Sequence, residues 1–254
     1  MKVAAVQHDI VWESPEANFE HLAPKVAQAA AAGARLVVLA EMYSTGFSMA
    51  TAKVAEPPDG PSVGFLADQA AACGVWVCGS APVREPSKAE LPFNRFVLAG
   101  PNGEAAVYDK IHPFSYGGEH EHYAAGAERV TIAVEGVRIT PFVCYDLRFS
   151  DEFWGLAHDT DCYVVVANWP FTRRAHWSAL LLARAIENQA YVVGVNRVGT
   201  GGGIDYPGCS AVIDPFGVEV ARAPEGQEAV LYADIDLARV QKIRARYPFL
   251  HDRR

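Results

Sequence analysis

Three reactive side chains stand at the ends of apolar stretches, far apart along the chain. Glu41 follows the run 36–40 (LVVLA), Lys110 lies just past AAVY in YDKIHPF, and Cys144 closes the stretch 138–143 before the polar turn YDLR. A free thiol has a pKa of about 8.5, so it needs a base or a positive field to act as a nucleophile near neutral pH. A carboxylate at position 41 supplies a base, and burial raises a carboxyl pKa toward the range useful for accepting and returning a proton. The Lys110 ammonium supplies a field and, with the backbone N–H of Tyr145, two donors for the oxyanion of a tetrahedral intermediate. Taken singly, each residue has an ordinary reading: a Glu that caps a turn, a Lys whose stem lies along apolar surface, a Cys that packs as a small hydrophobe. Taken together they stand where sheet-based sites form, at and just beyond strand ends. The chemistry they predict is attack by an activated thiol through a tetrahedral intermediate.

The elements that must position them alternate short apolar runs with helical segments. Strands are predicted at 3–6, 36–40, 75–80, 96–99, 105–108, 137–144, 163–167 and 191–195, and a closing strand at 229–235. Helices are predicted from Pro15 to the stop at Gly33, with Pro24 expected to kink the first, then at 62–73 closed by Gly74, at 151–158 and at 173–190, and after the Asp236 cap. Several strand pairs are joined by turns too short for a crossover helix, as at Pro101-Asn102-Gly103 and around Asp214. That mixture predicts an α/β fold with two sheets and helices outside, an αββα sandwich in one domain over residues 1–254; a doubly wound parallel sheet is the alternative.

The 254 residues carry a net charge of −8, are 50% hydrophobic and 20% charged, and so fit a protein with a sizeable core. The scattered Lys and Arg offer no footprint for nucleic acid or an anionic membrane. No apolar run approaches spanning length, and the N-terminus reads as a strand, so a cytoplasmic location is expected. The five cysteines are odd in number and none forms C-x-x-C, which argues against a disulfide framework or a zinc site. Cys73 sits at a helix end, Cys78 in a strand and Cys162 before one. Cys209, in a loop-like stretch, is the one competitor to Cys144 as nucleophile.

The stretches LVVLAEMYSTGF, YDKIHPF and VCYDLRF resemble, in order and separation, the Glu, Lys and Cys motifs of the nitrilase (carbon–nitrogen hydrolase) superfamily. The resemblance runs over nearly the whole chain. It implies a four-layer αββα sandwich, a homodimer or higher homo-oligomer, and hydrolysis of non-peptide C–N bonds with no metal or organic cofactor. It also implies a second Glu between the Lys and Cys motifs that orients the lysine and the substrate. That position matches Glu119 in GGEHEHYAAG, with Glu121 two residues away. Within the superfamily the chain is most similar to the omega-amidase branch, through MYSTGFS, VANWPFTRRAHW and LLARAIENQAYVVGVNRVG. It departs from that branch in GTGGGIDY, which lacks the usual acidic residue after NRVG, and at Ser150 and Cys209.

A small anionic amide offers few contacts, so selectivity must come from a few charged groups. Arg148, Arg173 and Arg174 are the candidate cations for a substrate carboxylate, and Phe47, Phe114, Trp169 and Trp177 the candidate aromatic walls. Other readings keep the triad with another substrate (a carbamoyl amino acid, an aliphatic amide or a nitrile) or give a catalytically silent module that binds a small acid or a partner. A thiol redox role is disfavoured, because no second Cys lies nearby in sequence to resolve a sulfenic acid.

Overall fold

Side-chain alternation decides the architecture. In β1 (Lys2–Gln7) Val3 and Ala5 face one way and Ala4 and Val6 the other, and all four are buried. A strand buried on both faces needs a layer on each side. The computed structural model describes residues 1–253 and supplies both layers. The chain continues through α1 (Pro15–Ala31), β2 (Leu36–Val38), the single-turn α2 (Thr51–Val54), α3 (Pro61–Cys73), β3 (Trp76–Val83), β4 (Phe93–Ala99) and β5 (Ala105–Asp109). It then runs through β6 (Ile132–Val134), β7 (Val137–Val143), α4 (Ser150–Leu156), β8 (Cys162–Ala167), α5 (Arg174–Asn188) and β9 (Tyr191–Asn196). The remainder comprises β10 (Val198–Gly201), β11 (Ile204–Pro207), β12 (Ala211–Ile213), β13 (Glu219–Arg222), β14 (Ala229–Asp234) and α6 (Leu237–Arg246).

Two six-stranded sheets result, ordered β14-β1-β2-β3-β4-β5 and β13-β12-β9-β8-β7-β6. Each has a parallel centre, β1-β2-β3 or β7-β8-β9, flanked by antiparallel strands. Those antiparallel flanks and the second sheet exclude the doubly wound alternative. Val37, Val77 and Val97 of the first sheet face Leu22 and Val26 of α1 and Phe65 and Leu66 of α3. Val38, Cys78 and Leu98 face the other way, into a continuous core with Ile139, Phe142 and Val165 of the second sheet and with Trp177 and Leu181 of α5. The layers therefore read α-β-β-α. Among the described residues no helix is long and apolar enough to cross a membrane.

Some boundaries differ from expectation. The run 36–40 is regular strand only to Val38, because the Ala40 N–H is taken by the His8 Nε2 at 3.3 Å instead of a strand partner. That bond needs an unprotonated ring nitrogen, and burial pushes the His8 pKa down to about 4. The strand expected at 96–99 begins at Phe93 and so includes Asn94 and Arg95. Helix α1 continues through Pro24. The separate β10–β11 hairpin was not anticipated, since its glycines read as a loop.

Candidate active site

Both sheets end at one place. Glu41 follows β2 and is fully buried, yet its carboxylate is well supplied with donors. Oε1 accepts from Asn94 Nδ2 at 2.8 Å and from Lys110 Nζ at 3.1 Å, and Oε2 from the Asn168 backbone N–H at 2.7 Å. Lys110 follows β5, is 1% exposed, and also donates to Glu119 Oε2 at 2.8 Å. Asn94 closes the ring by donating to Glu119 Oε1 at 3.0 Å. Burial alone would lower the Lys110 pKa, but the Glu119 and Glu41 carboxylates outweigh it and the net shift is upward, so the lysine is a fixed cation. Burial raises the Glu119 pKa, with the Lys110 charge opposing it. Glu121 is exposed, so Glu119 is the residue that meets the lysine.

Cys144 leaves β7 with φ 47, the left-handed region that a non-glycine residue enters at a cost of about 1–3 kcal/mol. The turn that follows is held by Asp146, which is fully buried. Its carboxylate accepts from the Val143 N–H at 3.0 Å, the Tyr108 hydroxyl at 2.8 Å and the His112 N–H at 2.9 Å. Val143 belongs to the sulfur's sheet, whereas Tyr108 and His112 flank Lys110. One carboxylate thus locks the thiol turn to the lysine segment. The Cys144 thiol pKa is pushed well above the usual value, by burial first and then by the Glu41 carboxylate, with Lys110 opposing. Burial and the neighbouring carboxylate thus favour the neutral thiol over the thiolate at Cys144.

A cavity of about 330 Å³ opens beside the sulfur. Phe47, Phe114, Tyr145, Arg148, Trp169 and Arg173 all line it. The Arg148 guanidinium lies 4.8 Å from the Trp169 ring and that of Arg173 lies 5.4 Å from Phe114. Among the described residues neither arginine has a carboxylate partner. Arg174, by contrast, is exposed and paired with Glu225 at 3.1 Å, so it is not a cavity cation. Trp177 is likewise corrected. It is fully buried in the core between α5 and the second sheet, with its indole N–H on the Cys209 carbonyl at 2.9 Å. Cys209 itself is buried away from the cavity lining.

Several residues escaped the sequence reading. Asn94 stands beside Arg95 just ahead of the expected strand 96–99, so only the longer observed strand, Phe93–Ala99, reveals it as a buried strand residue. Asn168, directly after β8, carried the strand-end signal used for Glu41. Trp12, Tyr206 and the glycines of the β10–β11 hairpin also line the cavity or its back wall, and only tertiary contact reveals that.

The carbon–nitrogen hydrolase family model matches residues 2–245. The omega-amidase YafV of Yersinia enterocolitica is 40% identical over 99% of this chain and 96% of its own length. The 2-oxoglutaramate amidase of Bacillus subtilis is 32% identical over 98% of this chain and 96% of its own. The crystal structure of XC1258 from Xanthomonas campestris, a CN-hydrolase superfamily protein with an arsenic adduct in its active site, superposes with a TM-score of 0.93 at 38% identity, covering 100% of this chain and 97% of that one. With the sandwich and the strand-end site, these matches show that the chain belongs to the carbon–nitrogen hydrolase family.

Proposed function

We propose that the chain, acting as one domain over residues 1–254, hydrolyses the omega-amide of a small 2-oxo acid, such as 2-oxoglutaramate or 2-oxosuccinamate, to the dicarboxylic acid and ammonia. The observation that carries this reading is a pair of carboxylate-free guanidiniums, Arg148 and Arg173, in the wall of the cavity that also admits the Cys144 sulfur. Guanidinium suits a substrate carboxylate through paired, charge-assisted hydrogen bonds. The similarity to an omega-amidase and a 2-oxoglutaramate amidase over nearly the full length points the same way.

Glu41 takes the Cys144 proton as the sulfur attacks the amide carbon. Lys110 and the Tyr145 N–H hold the oxyanion, and Glu119 keeps Lys110 aimed. Glu41 returns the proton to the departing nitrogen, and ammonia leaves. Glu41 then deprotonates a water that attacks the thioester; collapse releases the acid and restores the thiol. Ammonia release should be readily measured with 2-oxosuccinamate and 2-oxoglutaramate and be weak with carbamoyl amino acids and nitriles. Arg173→Ala should raise KM for these anionic amides by about 10- to 100-fold, the worth of one charged hydrogen bond, and leave a neutral amide such as butyramide nearly unaffected. Equal effects on both classes would remove the arginine from substrate binding.

We further propose a homodimer. Leu182 and Ile186 of α5 are 38% and 49% exposed, and Phe216 and Val218 in the adjoining turn are 55% and 49% exposed. Gly217 lies between them, where an added Cβ would meet Ile186 at 2.7 Å, so the four side chains form one apolar patch. Light scattering should give twice the chain mass for the wild type and one chain mass for Ile186→Asp; a wild-type monomer rules the patch out as a seam.

A further inference from the structure

The cavity has two kinds of wall. Arg148 and Arg173, with Phe114 and Tyr145, line both the cavity and a more open recess that adjoins it. Trp12, Gly201 and Gly202 line the cavity alone. The two arginines therefore serve both spaces, whereas Trp12, itself 36% exposed, and the glycine hairpin wall the cavity on a side that the recess does not reach.

The indole is wedged between backbones. A Cβ on Gly46 would lie 2.9 Å from Trp12 Cε3, and one on Gly202 would lie 2.8 Å from Trp12 Cη2. Both glycines have positive φ, 72° and 58°, so neither site favours a side chain on conformational grounds either. The main chain around Trp12 is fixed on both sides. Val11 exchanges two bonds of 2.8 Å with the buried Asn18 amide, and the Glu13 N–H donates to the Thr45 carbonyl at 2.8 Å.

One buried cation ties this segment to the hairpin. Arg197, fully buried just past β9, donates from Nη2 to Asp9 Oδ1 at 2.6 Å, to the Ile10 carbonyl at 3.1 Å and to the Thr200 carbonyl at 3.3 Å. Its guanidinium lies 4.7 Å from the Tyr206 ring, and a Cβ on Gly201 would fall 2.3 Å from Nη1. The approach to Trp12 and the facing hairpin strand are thus pinned to the same strand end. The segment that carries the indole is held from both sides, and the indole lines the cavity.

We infer that Trp12, backed by Gly201 and Gly202 and held by Arg197, is the specificity-determining residue that sets the longest amide chain the site accepts. The inference rests on reading this cavity as the substrate site. At about 330 Å³ the cavity is at the small end of ligand pockets. In such a space one methylene is worth about 10- to 200-fold in kcat/KM. Trp12 is not in the reacting set, so its replacement changes which chain length is preferred and leaves the order of bond making untouched.

The test measures kcat/KM for two series of rising length: 2-oxosuccinamate, 2-oxoglutaramate and 2-oxoadipamate, and the neutral propionamide, butyramide and valeramide. Trp12→Ala should raise the ratio of longest to shortest by about 10-fold or more. Trp12→Phe, the milder change, should move it the same way by less, and Gly202→Ala, whose Cβ pushes the indole forward, should move it the opposite way. A structural defect alone scales every substrate equally. If folded Trp12→Ala and Trp12→Phe keep the wild-type ratio in whichever series is hydrolysed, the inference is overturned. Turnover of the neutral series alone would sink the 2-oxo acid reading, yet the length ratio would still be read on that series.

Discussion

Cys144→Ser is expected to fold normally and lose turnover by a factor on the order of 10⁶, as hydrolases do when the nucleophile of a coupled set is removed. The reason is specific to this site. The thiol pKa is already well above its usual value, and in the proposed mechanism Glu41 takes its proton because the sulfur anion forms near the Lys110 charge. A serine hydroxyl is a much weaker acid, and the same carboxylate cannot deprotonate it to a useful extent. Serine tolerates φ 47 about as well as cysteine does, so the variant adds no backbone strain. The check is ammonia release together with intact-protein mass spectrometry during turnover. Wild type should show an acyl adduct on Cys144 and the variant none. A serine variant within tenfold of wild type would disprove the nucleophile assignment.

Lys110→Ala should be nearly as damaging, and it should also destabilise the fold. In the proposed mechanism the ammonium is a donor to the oxyanion, a role worth about 10² to 10³ in rate. It is also the countercharge between two fully buried carboxylates, Glu41 and Glu119. Without it, like charges face each other across Asn94, and stripping one partner from a buried ionic set costs about 3–5 kcal/mol. The protein relieves this by binding a proton, so at least one carboxyl pKa rises in the folded variant. A raised folded pKa favours the protonated native state. The stability deficit should therefore be smallest near the ordinary carboxyl range and grow as pH rises through the shifted pKa. Urea unfolding at several pH values measures this directly. A variant with a flat, pH-independent deficit, or a rate within tenfold of wild type, would show that the lysine is not the charge at the centre of the site.

The positions of Glu41, Lys110 and Cys144 were legible because each follows an apolar run. For Glu41 and Cys144 that run is a strand buried on both faces, where a polar residue at the end has nowhere to go but the rim, whereas Lys110 follows the edge strand β5. Glu119 was legible only through its motif: it opens a single 3₁₀ turn, Glu119–Glu121, too short to show any periodicity in the sequence. Choosing Arg173 over Arg174 was beyond the sequence, since adjacent residues at a helix start point in different directions and only the junction before α5 decides which meets the cavity. Trp177 misled because an aromatic at helical spacing on α5 fits a pocket wall and a core equally well. The two-sheet fold was readable from the short turns between strands. Its least readable part was the hairpin opposite Trp12, where glycine, the residue of loops, is required by how closely an indole and a guanidinium approach the backbone.

The Cys144 sulfur is carried by one sheet, while Glu41 and Lys110 are carried by the other. Neither sheet holds all three side chains, and Asp146 is the clasp between them. Turnover is in effect a gauge of how well the two halves of the sandwich are docked. Slippage of about 1 Å along their shared face would cost on the order of 100-fold in rate while every strand kept its ladder.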